Sequence, residues 1–538
     1  MTVGCDYLIL GAGSAGAVLA NRLSADGAAE VILVEAGGRS NSLLVAMPAA
    51  NGYVFGRPRH DWMYRTEPQA ALKGRRIYWP RGRGLGGSST INGMIYIRGN
   101  ARDYDGWADA GLAGWSFADV LPYFKKSEGS WRGAGPYHSA DGPLKTSRAG
   151  NHGPLDDAFL AAAGERGFAL NDDFNGATQT GFGTYDVNVH NGRRSDAAHA
   201  FLRPAAGRRN LRIMTHSTAL GLVVDKGRAT GAVIRNRRQT QTVTASREVI
   251  VALGAIASPQ FLMLSGIGPA AHLRSLGIPV KHDLPGVGKG LKDHIQVAIR
   301  YGCRRADLTF DRYQRFDRAA LIGLRYLVSR SGPAAAPFWS TGGFVSLRGA
   351  EDFPQLQLFF TPMCIVEDPA QRKLATAGFQ LDISLMRPMS DGSISLRSSD
   401  PADHPVIEPN YLVEQQDRRD LLEGVRIARE IASARALEPF RSGEILSRAS
   451  AGDDLQDIAG AALSGYHPVG TCRMGADGDP LAVTDRQLRV RGIDNLRIVD
   501  ASVMPDIPSG NTNAPAIMIG ERGADLILPG YQPMPTPR

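Results

Sequence analysis

The chain has 538 residues, of which 43% are hydrophobic and 21% charged, and carries a net charge of +8. That length fits roughly two to four domains, and the composition is that of a globular enzyme rather than a disordered or fibrous protein. Its 61 basic residues form no Lys/Arg block and are not interleaved with aromatics, so the excess reads as a solvated surface and not a nucleic-acid interface.

The first elements are a strand, "DYLIL", a glycine turn, "GAGSAG", a helix, and a second strand, "EVILVEA". With no charged and apolar leader before that strand, a cytoplasmic protein is expected. Gly11 permits the tight turn, Gly13 lets a pyrophosphate approach the backbone, and Gly16 lets the helix pack on the strand. Amides and the positive dipole end of the helix would hold the phosphates. Glu35, about twenty residues on, would accept hydrogen bonds from ribose hydroxyls and repel a 2′-phosphate, which disfavours NADP. Strand, turn, helix and acid together point to a dinucleotide, NAD or FAD.

Further along, "PRGRGLGGSSTINGMIYIRGN" (80–100) is a second glycine cluster, a donor-rich loop without the GK[ST] ending of a phosphate-binding Walker loop. "PQLQLFF" (354–360) and "SISLRS" (393–398) alternate like strands, and "DRRDLLEGVRIAREIASARA" reads as an amphipathic helix placing Leu421, Leu422, Val425 and Ile427 inward. In "SGYHPVGTCRMG" (464–475), His467 reads equally as a metal ligand beside Cys472, a catalytic base or a turn histidine. Asp500 ends an apolar strand, where α/β folds present ligand-binding groups, and would serve as well as a turn former. "GNTNAP" precedes the last apolar helix, with Asn513 expected as its cap and Pro515 in its first turn; Asn511 is too early for that role. Cys5, Cys303, Cys364 and Cys472 are scattered without a CxxC pair, so neither a disulfide framework nor a metal site is expected. No run approaches the ~18 apolar residues of a membrane span. The tail "PGYQPMPTPR" is expected to be loose.

The 80–100 cluster resembles the first signature of the glucose–methanol–choline (GMC) flavoprotein oxidoreductases. "GAIASPQFLMLSGIGP" (254–269) resembles the second, and "LPGVGKGLKDH", "RPMSDGSISLRSSDPADHPVIEPNYL", "YHPVGTCRMG" and "LRIVDASVMP" through "GNTNAPAIMIGERGADLIL" follow in family order over nearly the whole chain. The resemblance selects FAD over NAD, and no second strand–GxGxxG–helix unit offers a nicotinamide site. It implies an α/β, Rossmann-like FAD-binding domain assembled from 1–150, 196–300 and 462–538. A substrate domain on an antiparallel sheet would take 151–195 and 301–461.

Residue by residue, the resemblance implies an FAD site from Gly11, Gly13, Ser14, Ala15, Gly16, Glu35, Ala36, Trp62, Arg81, Gly86, Gly87, Ser88, Asn92, Gly93, Ala219, Gly254, Tyr466, Asp500, Ala501, Thr512 and Asn513. It makes His467 the base that takes the hydroxyl proton of an alcohol, and Asn511 the hydrogen-bond partner of its oxygen, while hydride passes to flavin N5. His294, in "KDH", is read as structural. Ile91 stands where some choline oxidases carry a flavin-linked histidine, so FAD is expected to be non-covalent. In "FWSTGGF" (338–344), Ser340 replaces a glutamate of choline-handling members, leaving Phe338 and Trp339 as pocket residues and favouring an uncharged primary alcohol over choline. The acceptor is oxygen or a quinone, the latter with peripheral contact at the inner face of a membrane. An FAD-containing hydroxynitrile lyase, a peroxide-producing oxidase of aromatic or heteroaromatic alcohols, and a non-catalytic flavin binder are the alternatives.

Overall fold

The computed structural model describes residues 3–237, 239–349, 352–364, 377–445 and 460–528; the proline-rich tail lies outside them. In chain order the elements that build the site begin with β1 (Val3–Leu10), α1 (Ser14–Leu23), β2 (Val31–Val34) and β3 (Gly181–Thr184). Next come β4 (Leu211–Met214), β5 (Ser217–Asp225), β6 (Arg228–Asn236), β7 (Gln239–Val251), α2 (Gly254–Leu264) and β8 (Ile295–Cys303). They continue with α3 (Phe316–Ser329), β9 (Thr341–Val345), β10 (Leu356–Thr361), β11 (Gly378–Leu385) and α4 (Gln415–Ala432). The last are β12 (Arg441–Glu444), β13 (Leu463–Ser464), β14 (Leu496–Ile498) and α5 (Asn513–Ile527).

The first sheet is parallel in the order β4, β2, β1, β7, β14, and the N-terminal half of β7 turns antiparallel with β6 and β5. Leu8, Ile9, Leu10 and Val31 to Val34 are all buried, the near-continuous apolar run of strands covered on both faces. Helix α5, from the far end of the chain, lies along α1. A Cβ on Gly520 would stand 3.0 Å from the Ala15 Cα, so glycine sets that close approach. Arg22 of α1 binds both oxygens of the buried Glu521 of α5 at 2.6 and 2.7 Å, locking the pair.

The second sheet runs β12, β8, β11, β10, β9, β3, all antiparallel, with β13 pairing the start of β8. The boundaries expected at 300 and 462 fall at this sheet: β8 spans the first, and β13, just beyond the second, pairs with β8. Along β8, Ile295, Val297, Ile299 and Tyr301 are buried while Gln296, Ala298 and Arg300 are only half-buried, the period of two that gives a strand two different faces. Helix α4 covers β8, β10 and β11 on one side. Of its expected inward residues, Leu421, Val425 and Ile427 are buried and Leu422 is half-buried. The opposite face looks into the cavity that holds the site.

Candidate active site

One cavity of about 1420 Å³ runs from the β1–α1 turn to the free face of the second sheet. It exceeds the ~300–1,000 Å³ of an ordinary small-molecule pocket, which suits a dinucleotide plus a substrate. At one end the helix starts converge: α1 after Gly13, α2 after Leu253 and α5 after Thr512, none with a side-chain cap. The uncapped amides at the starts of α1 and α5 favour anionic oxygens, as a pyrophosphate would present, while the first amide of α2 is taken by Asp500. A Cβ added to Gly13 meets nothing within 4 Å, so the turn is open to the cavity, whereas a Cβ on Gly16 would strike the Gly11 carbonyl at 1.9 Å. Gly16 therefore serves helix–strand packing, off the wall.

Of the residues expected around the cofactor, all but Gly16 and Gly86 line this cavity. Gly86 sits at a left-handed φ of 93° and donates its N–H to the Ala12 carbonyl at 2.7 Å, pressing the second glycine loop onto the first turn. Glu35 accepts from the amides of Ala12 (3.1 Å), Gly37 (2.8 Å) and Gly84 (3.0 Å), so it ties both loops together and keeps lone-pair capacity for a ribose. Asp500 likewise joins three segments, accepting from Gly254 N, Ser258 Oγ and Ser502 N at 2.9, 2.6 and 2.8 Å. Asn513 departs from expectation. It is the first residue of α5, not its cap, and its Oδ1 accepts from Ser14 Oγ at 2.8 Å, pinning one helix start to the other.

Just before the start of α5, Asn511 meets His467: Asn511 Nδ2 lies 3.1 Å from His467 Nε2. The turn that aims His467 is held on both sides. Tyr466 takes a left-handed φ of 65°, costly for a bulky residue, and its carbonyl accepts from the Arg81 guanidinium at 2.5 Å. Asp293, buried, accepts from the His467 amide at 2.6 Å and from the hydroxyls of Ser464 and Tyr411. Asn511 is placed by the preceding loop, where Asp103 accepts from the Ser509 amide (2.6 Å) and hydroxyl (2.9 Å).

His294 stands behind His467, with the two Nδ1 atoms 3.0 Å apart. One must donate. His294 Nε2 lies 3.2 Å from the Met386 carbonyl, which can only accept, so His294 carries its proton there and offers Nδ1 as an acceptor. His467 then donates from Nδ1 and exposes the Nε2 lone pair toward Asn511. Burial pushes His294 down to about 3, and burial, with help from His294 and Arg81, holds His467 well below the ordinary histidine range. Both rings are neutral at pH 7. The sequence reading of His294 as structural missed this contact, which spans 173 residues and has no local signal.

The sign of the resulting pH effect is definite. A histidine kept neutral in the native state but free to protonate when unfolded loses stability as pH falls below about 6.5, by about 1.4 kcal/mol per unit. His294→Phe removes one such group. We expect the stability gap between wild type and this variant, from chemical denaturation, to narrow by about 2 kcal/mol between pH 8 and pH 5; a constant gap would contradict a neutral His294.

Phe338 and Trp339 line the substrate end, together with Phe359, Gln296, Arg300, Gln380 and Asp382 of the second sheet. Ser340 does not: it is fully buried, and it is absent from the wall to which its substitution was expected to matter. The carboxylate of this wall is instead Asp382, which accepts from Gln380 Nε2 at 2.9 Å. Among the described residues no group of three His, Cys, Asp or Glu is arranged to hold a metal, and no helix is long and apolar enough to cross a membrane. Cys472 is buried, its amide bonded to Ser502.

Two family profiles described as GMC oxidoreductase match residues 5–296 and 388–520. The chain belongs to the GMC oxidoreductase family. As a GMC oxidoreductase it is an FAD-dependent enzyme acting on CH–OH donors. It is 43% identical over 534 residues to the mitochondrial choline dehydrogenase of Homo sapiens, covering 97% of this chain and 89% of that protein. To the oxygen-dependent choline dehydrogenase of Brucella anthropi it is 41% identical, covering 97% and 95%. Among solved structures, this GMC fold is similar to pyridoxine 4-oxidase from Mesorbium loti, with a TM-score of 0.86, 31% identity and coverage of 97% and 98%.

Proposed function

We propose that the protein oxidises an uncharged primary alcohol to its aldehyde, with His467 as base and Asn511 as the partner of the substrate oxygen. The observation that carries this is the oriented chain Asn511, His467, His294, Met386. It leaves one unprotonated ring nitrogen and one amide donor 3.1 Å apart on the cavity wall. A hydroxyl that replaces this contact gives its proton to Nε2 and receives a hydrogen bond from Nδ2. Neutral His294 then accepts from the imidazolium at Nδ1, spreading the new charge without a carboxylate. The bound FAD supplies the hydride acceptor for the carbinol carbon. Gly13, Ser14, Glu35, Asp500 and the starts of α1, α2 and α5 would hold it, and Ile91, an aliphatic side chain on the wall, supports non-covalent attachment.

The substrate wall carries Arg300 and Asp382 on adjacent strands, diagonal in register, so its charges balance and an uncharged, hydrogen-bonding alcohol fits between Phe338, Trp339 and Phe359. A cationic alcohol is the second reading, favoured by Asp382 and by relatives named choline dehydrogenases. The decisive experiment is an anaerobic panel of benzylic, aliphatic, pyridine-type and quaternary-ammonium alcohols, following flavin absorbance. Bleaching by a neutral alcohol supports the first reading and bleaching by choline alone the second. No bleaching by any alcohol, with hydroxynitrile cleavage, would make the protein a lyase. Readmitted oxygen then separates peroxide formation from a quinone-type acceptor.

His294 acts through His467 as a positioning residue. His294→Phe leaves the Nδ1–H of His467 unpaired in a buried site, a loss of ~1–3 kcal/mol. If that disorients the base, flavin reduction slows about 5- to 150-fold. His294→Asn, which can still accept there, should recover part of the rate; equal rates for the two variants would remove the role.

A further inference from the structure

We infer that helix α3 is an interfacial anchor that seats the protein on an anionic lipid surface. Phe316, Leu321, Leu324, Leu327 and Val328 are 58% to 90% exposed, five large apolar side chains on one 14-residue helix. At 100° per residue they fall, with Ala320, within one arc of about 140°. The opposite side holds Tyr326, the buried residue of the helix, whose hydroxyl donates to the Ala46 carbonyl at 3.2 Å. The helix therefore sits correctly on the protein and points its apolar face outward. Soluble proteins seldom expose a contiguous patch of this kind without an occupant.

Charge identifies that occupant. Arg318 and Arg325 follow at one edge of the arc, and between 311 and 330 the chain has five arginines against two aspartates. Asp317 interrupts the arc in the first turn, where Arg315 pairs with it at 3.2 Å. An apolar face edged by arginine matches acyl chains beneath anionic headgroups. A second copy fits less well, because two-fold pairing of this face would bring like charges together.

Position gives the anchor a consequence. The turn Pro333–Ala335, which follows α3, packs on the turn Pro48–Tyr53. Tyr53 and, just before that turn, Leu43 are themselves exposed, and Asn51, Gly52 and Tyr53 line the cavity. The rim of the active-site cavity would thus face the bilayer, where a lipid-soluble acceptor resides.

The holoprotein should co-sediment with vesicles of phosphatidylglycerol and phosphatidylcholine and bind pure phosphatidylcholine at least tenfold more weakly, with salt reducing the difference. Leu324→Glu/Leu327→Glu should lower binding to anionic vesicles at least tenfold, and Arg318→Glu/Arg325→Glu by about 30-fold. Flavin content and thermal midpoint should be unchanged in both, since these side chains are exposed. Failure of the wild type to bind anionic vesicles would overturn the anchor, as would binding that both variants retain. A dimer in light scattering that Leu324→Glu/Leu327→Glu dissolves, without vesicle binding, would assign the face to a second copy.

Discussion

Replacing His467 with alanine is expected to lower the rate of flavin reduction by at least ~100-fold while FAD stays bound. The ring is half-buried on the cavity wall and neutral, and its Nε2 is the unprotonated nitrogen that the hydrogen-bond chain turns toward Asn511. Its removal deprives the hydroxyl of a proton acceptor at the point where hydride leaves the carbon. FAD should remain because Gly13, Ser14 and Glu35, at the β1–α1 turn and the end of β2, are held by partners other than this ring. The remaining rate should rise with pH, since hydroxide can then take the proton. In the wild type the depressed ionisation of His467 predicts a flat rate from pH 8 down through 6.5, with the acid limb lower still. Stopped-flow reduction across pH, with flavin content from the visible spectrum, reads each of these. Near-normal reduction by the variant would sink the mechanism.

What was legible in the sequence was what is local. Gly16 has its role set by a neighbour five residues away, as the clash of its Cβ with the Gly11 carbonyl shows, whereas Gly11 also makes room for Ala252, just past the far end of β7. Glu35 was legible for the same reason, although its three backbone amides come from segments as distant as Gly84. Asn513 was misread because a cap is judged from adjacent residues, and its actual partner, Ser14, is 499 residues away. The layer behind the base was hidden for a related reason. Asp293 and His294 sit at the head of β8, where β13 brings residues 464–467 alongside, and only that pairing turns "KDH" into two supports for one histidine. Ser340 was expected to face substrate from its place in a motif, but its side chain packs inward, and the wall's polarity comes from Gln296, Gln380 and Asp382, spaced by strand alternation.

Asn511→Ala should cost about 10²- to 10³-fold in flavin reduction, the range for losing one preorganised donor to a developing oxyanion. The amide is set for that task before substrate arrives. Gln357 Nε2 approaches Asn511 Oδ1 at 3.5 Å, which turns Nδ2 toward His467 Nε2, and Asp103 and Gln179 hold Ser509 two residues earlier. Asn511→Asp tests the same geometry with the opposite electrostatics. A carboxylate cannot donate to the substrate oxygen, and beside Nε2 it favours the protonated ring, raising the ionisation of His467. Its activity should therefore be lost at neutral pH and return partly as pH rises, moving the acid limb upward, whereas Asn511→Ala keeps the limb where wild type has it and lowers only the plateau. If the two variants shared one pH profile, or if Asn511→Ala reduced its flavin within threefold of wild type, Asn511 would be a packing residue and the base would act alone.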